Sequence, residues 1–318
     1  MNTMHRTSIF ALLAAVALAP PAPARAQSAT TGTTSDAAVS VPQKSGRIPE
    51  NGVNYYYEIH GQGEPLLLLH GGLGSIDMFG PVLATFAKQR QVIAVDLHGH
   101  GRTPLGDRAI DLPDIGNDLA VVLKQLGYAA VDVMGYSFGG GAAFRLAVQH
   151  PQHVRRLVLV SAGYAQSGFH PEMLPMQAAV SAAMAESMKE SPMYVSYKAV
   201  APNPDEFPRL LDRMGELMRR PYDWAEDVKK LQMPVMLVFG DADMFTLDHV
   251  ASFYKLLGGG LKDAGWMREH MSKNRLAILP NLTHYEVFMA PQLATTVLPF
   301  LNGETGAPTW TGQARSEN

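Results

Sequence analysis

Six short, almost continuously apolar segments recur between residues 65 and 281, and each ends in Gly, Asp, Asn or Ser. Continuous apolarity, without polar alternation, is typical of strands that are buried on both faces of a parallel sheet. A preceding segment alternates apolar and polar residues and predicts one further strand. The predicted strands lie at residues 53–61, 65–72, 91–99, 130–137, 155–163, 233–241 and 275–281.

Helical patterns separate these segments. Between two of the predicted strands, apolar residues recur at spacings of three and four and form one stripe along a helix. Asp111 is placed to cap the start of this helix, and Gly127 to close its end. Strand and helix alternation of this kind indicates an α/β fold with a doubly wound, mostly parallel sheet. The stripe consists of Leu112, Ile115, Leu119, Val122 and Leu126.

One long segment breaks this alternation. Residues 166–230 contain no strand-like run and are rich in Met, Ala and charged residues in helical patterns. The length of this segment favours a helical lid insertion over ordinary connecting helices. A smaller insertion is predicted at residues 257–274, where consecutive glycines indicate a flexible turn.

The first 26 residues have the pattern of an export signal. Arg6 precedes a short apolar run, prolines follow, and Ala24-Arg25-Ala26 fits the small-x-small cleavage pattern. The apolar run, residues 9–18, is too short for a stable membrane span, which disfavours an uncleaved anchor. We therefore expect a Sec-type signal peptide at residues 1–26 and a periplasmic or secreted bacterial protein with no stable membrane anchor after cleavage.

The remaining chain divides into a leader, a domain and a tail. Residues 27–45 are small and polar, so they bury too little apolar surface to offset the entropy of ordering, and they are expected to form a flexible leader. Residues 46–302 suffice for one α/β domain with a sizeable core, and residues 303–318 are assigned to a C-terminal tail.

Net charge and cysteine content exclude or disfavour several kinds of partner and site. The formal charge of −3 becomes −5 without residues 1–26, and there is no basic tract to neutralise phosphates, so nucleic acid is disfavoured as a partner. The absence of cysteine removes disulfides, thiolate metal sites and cysteine nucleophiles. No feature of the sequence demands a cofactor or determines the oligomeric state.

Ser137 stands among glycines between a predicted strand and a predicted helix. The stretch VMGYSFGGGAAF, residues 133–144, reverses from strand to helix at this serine, which forces unusual backbone angles. Gly135, Gly139 and Gly140 provide the small volume that packing beneath such a turn requires. The hydroxyl then projects above the sheet at a helix N-terminus, where partial positive charge favours a developing anion. This arrangement predicts a nucleophile rather than a mobile glycine loop.

A serine nucleophile needs a base to take its proton and an acid to orient that base. Asp241 and Asp243 follow one late predicted strand, and His284 follows the next. Both positions lie past the carboxyl ends of strands, which is the edge where ligands bind to such sheets. We therefore expect His284 to be the base and one of the two aspartates to be the acid.

Five motifs resemble those of the α/β-hydrolase superfamily, in its small serine esterase and lactonase branch. They are LLLLHGGLGS, DLHGHGRT, GYSFGG, FGDADMFT and LPNLTHY, and the resemblance spans residues 53–302. In the family pattern the acid stands three residues after the strand-ending glycine, here Gly240, which implies Asp243 and leaves Asp241 as a turn residue. His284 matches the family's base, although the preceding Thr283 stands where glycine is commoner.

The resemblance also implies an oxyanion hole of two backbone N–H groups. One belongs to Phe138, directly after the nucleophile, and the other to Gly72 in the HGGLG loop, with Leu73 as the alternative. His70 is expected to brace this loop rather than to take part in catalysis.

The turn DLHGHGRT is expected to be structural. His98 and His100 have the spacing of a metal pair, but no further ligand pattern follows, and similar hydrolases carry this turn without a metal. No metal site is predicted. Asp96 and Arg102 are expected to be partners within the turn.

These residues together predict a serine hydrolase in which Ser137 attacks an ester, His284 transfers the proton and Asp243 orients the imidazole. The serine argues against epoxide hydrolases and haloalkane dehalogenases, which use an aspartate. It leaves open lactonases, C–C bond hydrolases, aminopeptidases and cofactor-free haloperoxidases. A non-catalytic ligand-binding protein on the same fold is a further alternative. We expect a small, uncharged ester or lactone as the substrate, because the predicted lid holds few groups suited to fix a charged one.

Overall fold

The computed structural model describes residues 41–304. The predicted signal peptide, most of the predicted leader and most of the predicted tail lie outside these residues. Within residues 41–304, no helix has both the length and the apolarity needed to cross a membrane.

The described residues form a single eight-stranded sheet. Its strands are β1 (Lys44–Glu50), β2 (Val53–His60), β3 (Pro65–Leu69), β4 (Gln91–Asp96), β5 (Val131–Tyr136), β6 (Val154–Val160), β7 (Val235–Ala242) and β8 (Arg275–Thr283). The spatial order is β1-β2-β4-β3-β5-β6-β7-β8. β2 pairs antiparallel with both β1 and β4, and all other neighbours are parallel. The carboxyl ends of β3 to β8 therefore meet at one edge.

Helices cover both faces of the sheet. The α-helices are α1 (Gly80–Ala87), α2 (Leu112–Gln125), α3 (Phe138–Gln149), α4 (Met173–Ala178), α5 (Pro192–Val200), α6 (Phe207–Met218), α7 (Ala225–Val228), α8 (Leu247–Leu256) and α9 (Pro291–Leu301). Alternate side chains of each central strand point to opposite faces, so Leu66 and Leu68 pack with α1 and α9, whereas Leu67 and Leu69 pack with α2, α3 and α8. The predicted doubly wound architecture is confirmed.

The predicted caps of α2 are confirmed. Asp111 precedes the helix and accepts a hydrogen bond from the backbone N–H of Asp114 at 3.3 Å. Gly127 follows it with a φ of 88°, a conformation that ends helices and that glycine adopts without a Cβ clash.

The sequence patterns did not predict β1. This strand begins at Lys44, within the predicted leader and before the predicted start of the domain at residue 46. It is an edge strand that pairs only with β2, and Ile48 is its one buried residue. Because an edge strand exposes most of its side chains, it lacks the apolar run that marks the central strands.

Residues 166–230 contain α4 to α7 and short 3₁₀ turns, in agreement with the expected helical content. In α6, buried side chains reach the loops that follow β3 and β4. A Cβ added to Gly72 would lie 3.1 Å from Cε of Met214, and one added to Gly99 would lie 3.3 Å from Cδ1 of Leu210. This helix therefore packs over the carboxyl edge of the sheet.

Candidate active site

Ser137 connects β5 to α3 in a sharp turn. Its φ of 52° and ψ of −117° are strained values for a residue with a side chain. The backbones around it approach so closely that a Cβ on Gly135 would lie 2.2 Å from the carbonyl oxygen of Gly139. A Cβ on Gly139 would lie 2.4 Å from the carbonyl oxygen of His70. Only glycine fits these two positions, as the sequence predicts.

Ser137, His284 and Asp243 form one hydrogen-bonded chain. Oγ of Ser137 lies 3.0 Å from Nε2 of His284, and Nδ1 of His284 lies 3.1 Å from Oδ1 of Asp243. An ionised carboxylate only accepts, so Nδ1 carries the imidazole proton and Nε2 presents its lone pair to the serine hydroxyl. This arrangement is able to take the Ser137 proton as the hydroxyl attacks a carbonyl carbon.

The environment of Asp243 keeps its carboxylate ionised. Burial raises the pKa of Asp243, but hydrogen bonds from His284, Ser161 and the Gly240 N–H outweigh burial and hold the pKa below its ordinary value. Oδ1 also accepts a 2.8 Å hydrogen bond from the N–H of Met244. An ionised aspartate at this position stabilises an imidazolium on His284.

The pairing of β7 with β8 brings the acid and the base together. Ala242 pairs with Thr283, so the residues that follow them, Asp243 and His284, leave the sheet side by side. Asp241 is exposed and instead accepts a 3.2 Å hydrogen bond from the N–H of Leu282. Of the two aspartates that the residue pattern left open, Asp243 is the one that contacts His284.

The loop after β3 lies against the start of α3. A Cβ on Gly72 would lie 3.6 Å from Cβ of Phe138. The N–H of Gly71 donates a hydrogen bond to Sδ of Met78 at 3.4 Å. Within residues 41–304, the N–H groups of Gly72, Leu73 and Phe138 donate to no protein acceptor. These N–H groups are therefore available to donate to an oxyanion. Gly72 and Leu73 both remain candidates for the second donor beside Phe138.

His70 braces this loop in the expected way. Its Nδ1 donates to the carbonyl oxygen of Gly71 at 2.8 Å, and its Nε2 accepts from the N–H of Leu97 at 2.9 Å. Burial lowers the pKa of His70, which favours the neutral ring. Both ring nitrogens are occupied by backbone groups, so neither is free to exchange a proton with a substrate.

His98 and His100 are buried and neutral. Nε2 of His98 donates to the carbonyl oxygen of Leu105 at 2.7 Å, and Nδ1 of His100 donates to that of His98 at 2.8 Å. Burial lowers the pKa of His98 to about 4 and that of His100 to about 3. The ring of His100 stacks on that of Phe138 at 5.2 Å. The described part of the chain holds no group of three or more His, Cys, Asp or Glu that fits a metal ion.

Asp96 and Arg102 are partners, as predicted. Asp96 is fully buried and accepts hydrogen bonds from the Arg102 N–H at 2.8 Å and from its Nη1 at 3.3 Å. It also accepts from the N–H of Ile76 at 2.7 Å. The carboxylate therefore ties the turn after β4 to the segment that follows the oxyanion loop.

Comparison with known proteins supports the fold. A sequence-family model of the alpha/beta hydrolase fold matches residues 64–192. The crystal structure of carboxylesterase CesB from Bacillus subtilis has a TM-score of 0.63 at 22% identity, over 82% of this chain and 92% of that one. The chain therefore has the α/β-hydrolase fold.

Two curated relatives of this chain differ in how far the similarity extends. A 2-hydroxymuconate semialdehyde hydrolase from Pseudomonas sp. is 38% identical over 134 residues, which cover 39% of this chain and 47% of that enzyme. A pimeloyl-[acyl-carrier protein] methyl ester esterase from Legionella pneumophila is 24% identical over 251 residues, or 74% of this chain and 97% of that enzyme. The chain spans only 33% to 47% of the length of several curated relatives that are 34% to 38% identical to it.

Two further residues contact the site, although the sequence patterns predicted no role for them. Tyr136 donates from its hydroxyl to the carbonyl oxygen of His284 at 2.6 Å. Ser161, directly after β6, donates from its hydroxyl to Oδ2 of Asp243. The sequence feature that could have identified Ser161 is its position, because a polar residue at the carboxyl end of a buried parallel strand lies at the ligand-binding edge of the sheet.

Proposed function

We propose that this protein is a serine hydrolase that cleaves carboxylic esters through an acyl-enzyme. The observation that carries the proposal is the hydrogen-bonded chain from Ser137 through His284 to Asp243, with distances of 3.0 and 3.1 Å. The ionised state of Asp243 supports it, because a base needs an oriented and charge-stabilised imidazole.

In the proposed reaction, Oγ of Ser137 attacks the ester carbonyl and its proton passes to Nε2 of His284. The oxyanion accepts hydrogen bonds from the N–H of Phe138 and from that of Gly72, with Leu73 as the alternative donor. Collapse of the tetrahedral intermediate expels the alcohol, which takes the proton from His284. Water then attacks the acyl-enzyme by the same route and releases the acid. None of these steps needs a cofactor.

The contacts around the oxyanion loop support an uncharged substrate. Met214 lies beside Gly72, and the neutral ring of His100 stacks on Phe138. Several charged side chains of residues 166–230 form ion pairs near the surface, as Arg213 does with Glu216 at 3.0 Å. A small ester or a lactone, which is an ester closed into a ring, suits such surroundings.

We also propose that residues 166–230 act as a lid. Leu210 and Met214 of α6 pack against two loops at the carboxyl edge of the sheet, so movement of this helix would open or close the approach to Ser137. The size of the space beneath the helix would then limit the length of the acyl chain.

The first test is hydrolysis of p-nitrophenyl esters from acetate to palmitate, by the wild type and by Ser137→Ala. Ser187→Ala is the matched control, because Ser187 is exposed on the segment 166–230 and bonds only to the carbonyl oxygen of Met184. We expect turnover by wild type and Ser187→Ala, and loss of turnover in Ser137→Ala. Intact mass after a fluorophosphonate probe should increase by one adduct in the first two proteins only.

Other outcomes would indicate a different substrate class or a protein without catalytic activity. Serine-dependent cleavage of lactones but not of open esters would make the protein a lactonase. Probe labelling of Ser137 without ester or lactone turnover would favour amide or C–C bond substrates. A protein that neither reacts with the probe nor turns over any of these substrates would be a ligand-binding member of the fold, and the proposal would be wrong.

We further propose that the protein is exported and that residues 1–26 are removed. Expression of the full chain in a Gram-negative host, followed by fractionation and N-terminal mass spectrometry, tests this. A periplasmic product that begins near Gln27 is expected. A full-length product in the membrane fraction would support an anchor instead.

A further inference from the structure

We propose that Ser161 is a positioning residue for Asp243, an inference that rests on the proposed serine hydrolase function. Ser161 directly follows β6 and has no exposed surface. Its hydroxyl donates a hydrogen bond to Oδ2 of Asp243, the carboxylate oxygen that does not face His284. The hydroxyl therefore acts on the base through the acid and not on the substrate.

The backbone of Ser161 is held in a strained conformation. Its φ of 48° lies in the left-handed region, which residues with a side chain rarely adopt. Its N–H donates to the carbonyl oxygen of Val238 in β7 at 2.8 Å. Since β7 leads directly into Asp243, this bond fixes the serine relative to the strand that carries its partner. Strain of this kind persists where the surroundings over-determine the conformation.

Donors occupy both oxygens of the Asp243 carboxylate. Oδ1 accepts from Nδ1 of His284 at 3.1 Å and from the N–H of Met244 at 2.8 Å. Oδ2 accepts from the Ser161 hydroxyl and, at 3.3 Å, from the N–H of Gly240. With donors on both sides, the carboxylate cannot rotate about its Cβ–Cγ bond without losing hydrogen bonds.

Removal of the Ser161 hydroxyl would leave Oδ2 with one long bond, that from Gly240. The carboxylate would then rotate more freely, and the bond between Oδ1 and His284 would be populated less. Hydrogen bonds to an ionised carboxylate are stronger than those between neutral groups, so the loss should be measurable in the rate. We expect kcat to fall on the order of tenfold or more, with little change in KM.

Two variants separate the hydroxyl from packing and strain. Ser161→Cys fills a similar volume but has only a weak S–H donor, and Ser161→Gly removes the side chain while relieving the positive φ. If the hydroxyl positions Asp243, both variants lower kcat although their thermal unfolding stays close to that of the wild type. Wild-type kcat in a folded Ser161→Cys or Ser161→Gly would overturn the inference.

A double-mutant cycle tests whether Ser161 acts through Asp243. Ser161→Gly is made in the wild type and in Asp243→Ala, and the cleavage of an activated p-nitrophenyl ester is measured in all four proteins. We expect Ser161→Gly to slow the wild type but to leave the residual rate of Asp243→Ala unchanged, because its partner is gone. Equal fold losses in both backgrounds would indicate a role independent of Asp243 and would overturn the inference.

Failure of the inference differs from failure of the proposed function. If the wild type cleaves the ester and Ser137→Ala does not, the function stands, and the Ser161 variants alone decide the inference. If the wild type neither cleaves esters or lactones nor reacts with a fluorophosphonate at Ser137, the proposed function fails and the inference falls with it.

Discussion

The hydroxyl of Tyr136 donates a 2.6 Å hydrogen bond to the backbone carbonyl oxygen of His284. Tyr136 directly precedes Ser137, so one short segment carries the candidate nucleophile and also holds the loop of the candidate base. The two aromatic rings lie 5.2 Å apart, and both residues are buried. The separation of Ser137 and His284 therefore depends on the bond from Tyr136 to the His284 backbone as well as on their own hydrogen bond.

Replacement of this tyrosine should affect both stability and rate. Tyr136→Phe keeps the ring but leaves the carbonyl oxygen of His284 without its side-chain donor, and we expect a loss of about 1 kcal/mol in the free energy of unfolding. The kcat for an ester substrate should fall several-fold, because the loop that carries His284 gains freedom. Urea unfolding and steady-state kinetics measure the two effects.

The control for this variant is Tyr128→Phe, which removes a 2.8 Å hydrogen bond to Oε1 of Gln91. It should cause a similar or smaller loss of stability and leave kcat unchanged. An equal fall in kcat in both variants would indicate that the effect comes from a general loss of stability and not from a change in the position of His284.

Asp243 and Asp241 should differ sharply in their effect on activity. Asp243→Asn should lower kcat by roughly 10⁴-fold, because an amide beside Nδ1 favours the tautomer with the proton on the wrong nitrogen of His284. Asp241→Asn should retain most of the activity, since this exposed residue contacts Leu282 and not the histidine. Steady-state kinetics of both variants with the same ester distinguish the two aspartates. Comparable losses of kcat in the two variants would contradict the assignment of Asp243 as the acid.

Two glycines of α3 provide a matched test of the turn at Ser137. A Cβ on Gly139 would lie 2.4 Å from the carbonyl oxygen of His70, and backbone atoms there have no room to move. We expect Gly139→Ala to reduce the free energy of unfolding by about 3 kcal/mol. A Cβ on Gly141 would lie 2.9 Å from Cδ1 of Leu112, a side-chain end that is able to shift. Gly141→Ala should stay within about 1 kcal/mol of the wild type, because alanine also favours the helix.

Urea unfolding of the two variants measures this difference. A Gly139→Ala protein as stable as Gly141→Ala would show that the turn adapts. The close backbone approach would then not be what requires glycine at that position.

The buried histidines should make stability fall as the solution becomes acidic. Burial lowers the folded-state pKa of His98 and His249 to about 4 and that of His100 to about 3, below the ordinary value of 6.5. Between pH 6.5 and these values the unfolded chain binds protons that the folded chain does not. Each histidine therefore lowers the free energy of unfolding by up to about 1.4 kcal/mol per pH unit in that window, and has no such effect above it.

His100→Phe tests the sign and the size of this effect. The phenyl ring suits the stack on Phe138 but does not titrate, so the pH dependence of stability between pH 6.5 and 4 should become shallower by about one proton. Urea unfolding at several pH values, with wild type and variant in parallel, measures the slopes. Identical slopes would mean that His100 is protonated in the folded state as readily as in the unfolded one.

The sequence by itself determined seven of the eight strands, because apolar runs and apolar–polar alternation are local properties of the residue order. It also indicated the turn at Ser137, since glycine on either side of a strand-to-helix reversal is a steric requirement that is visible in the residue order. The sequence did not predict the edge strand β1, because its side chains are mostly exposed and Lys44–Glu50 therefore contains no apolar run.

Only the tertiary structure decided which groups meet at the carboxyl edge. The residue types left Asp241 and Asp243 open, and the pairing of Ala242 with Thr283 brings Asp243 to the histidine. The contacts of Tyr136 and Ser161 join segments 148 and 82 residues apart in the chain. Such contacts depend on the spatial order of the strands, which no local pattern of residues records.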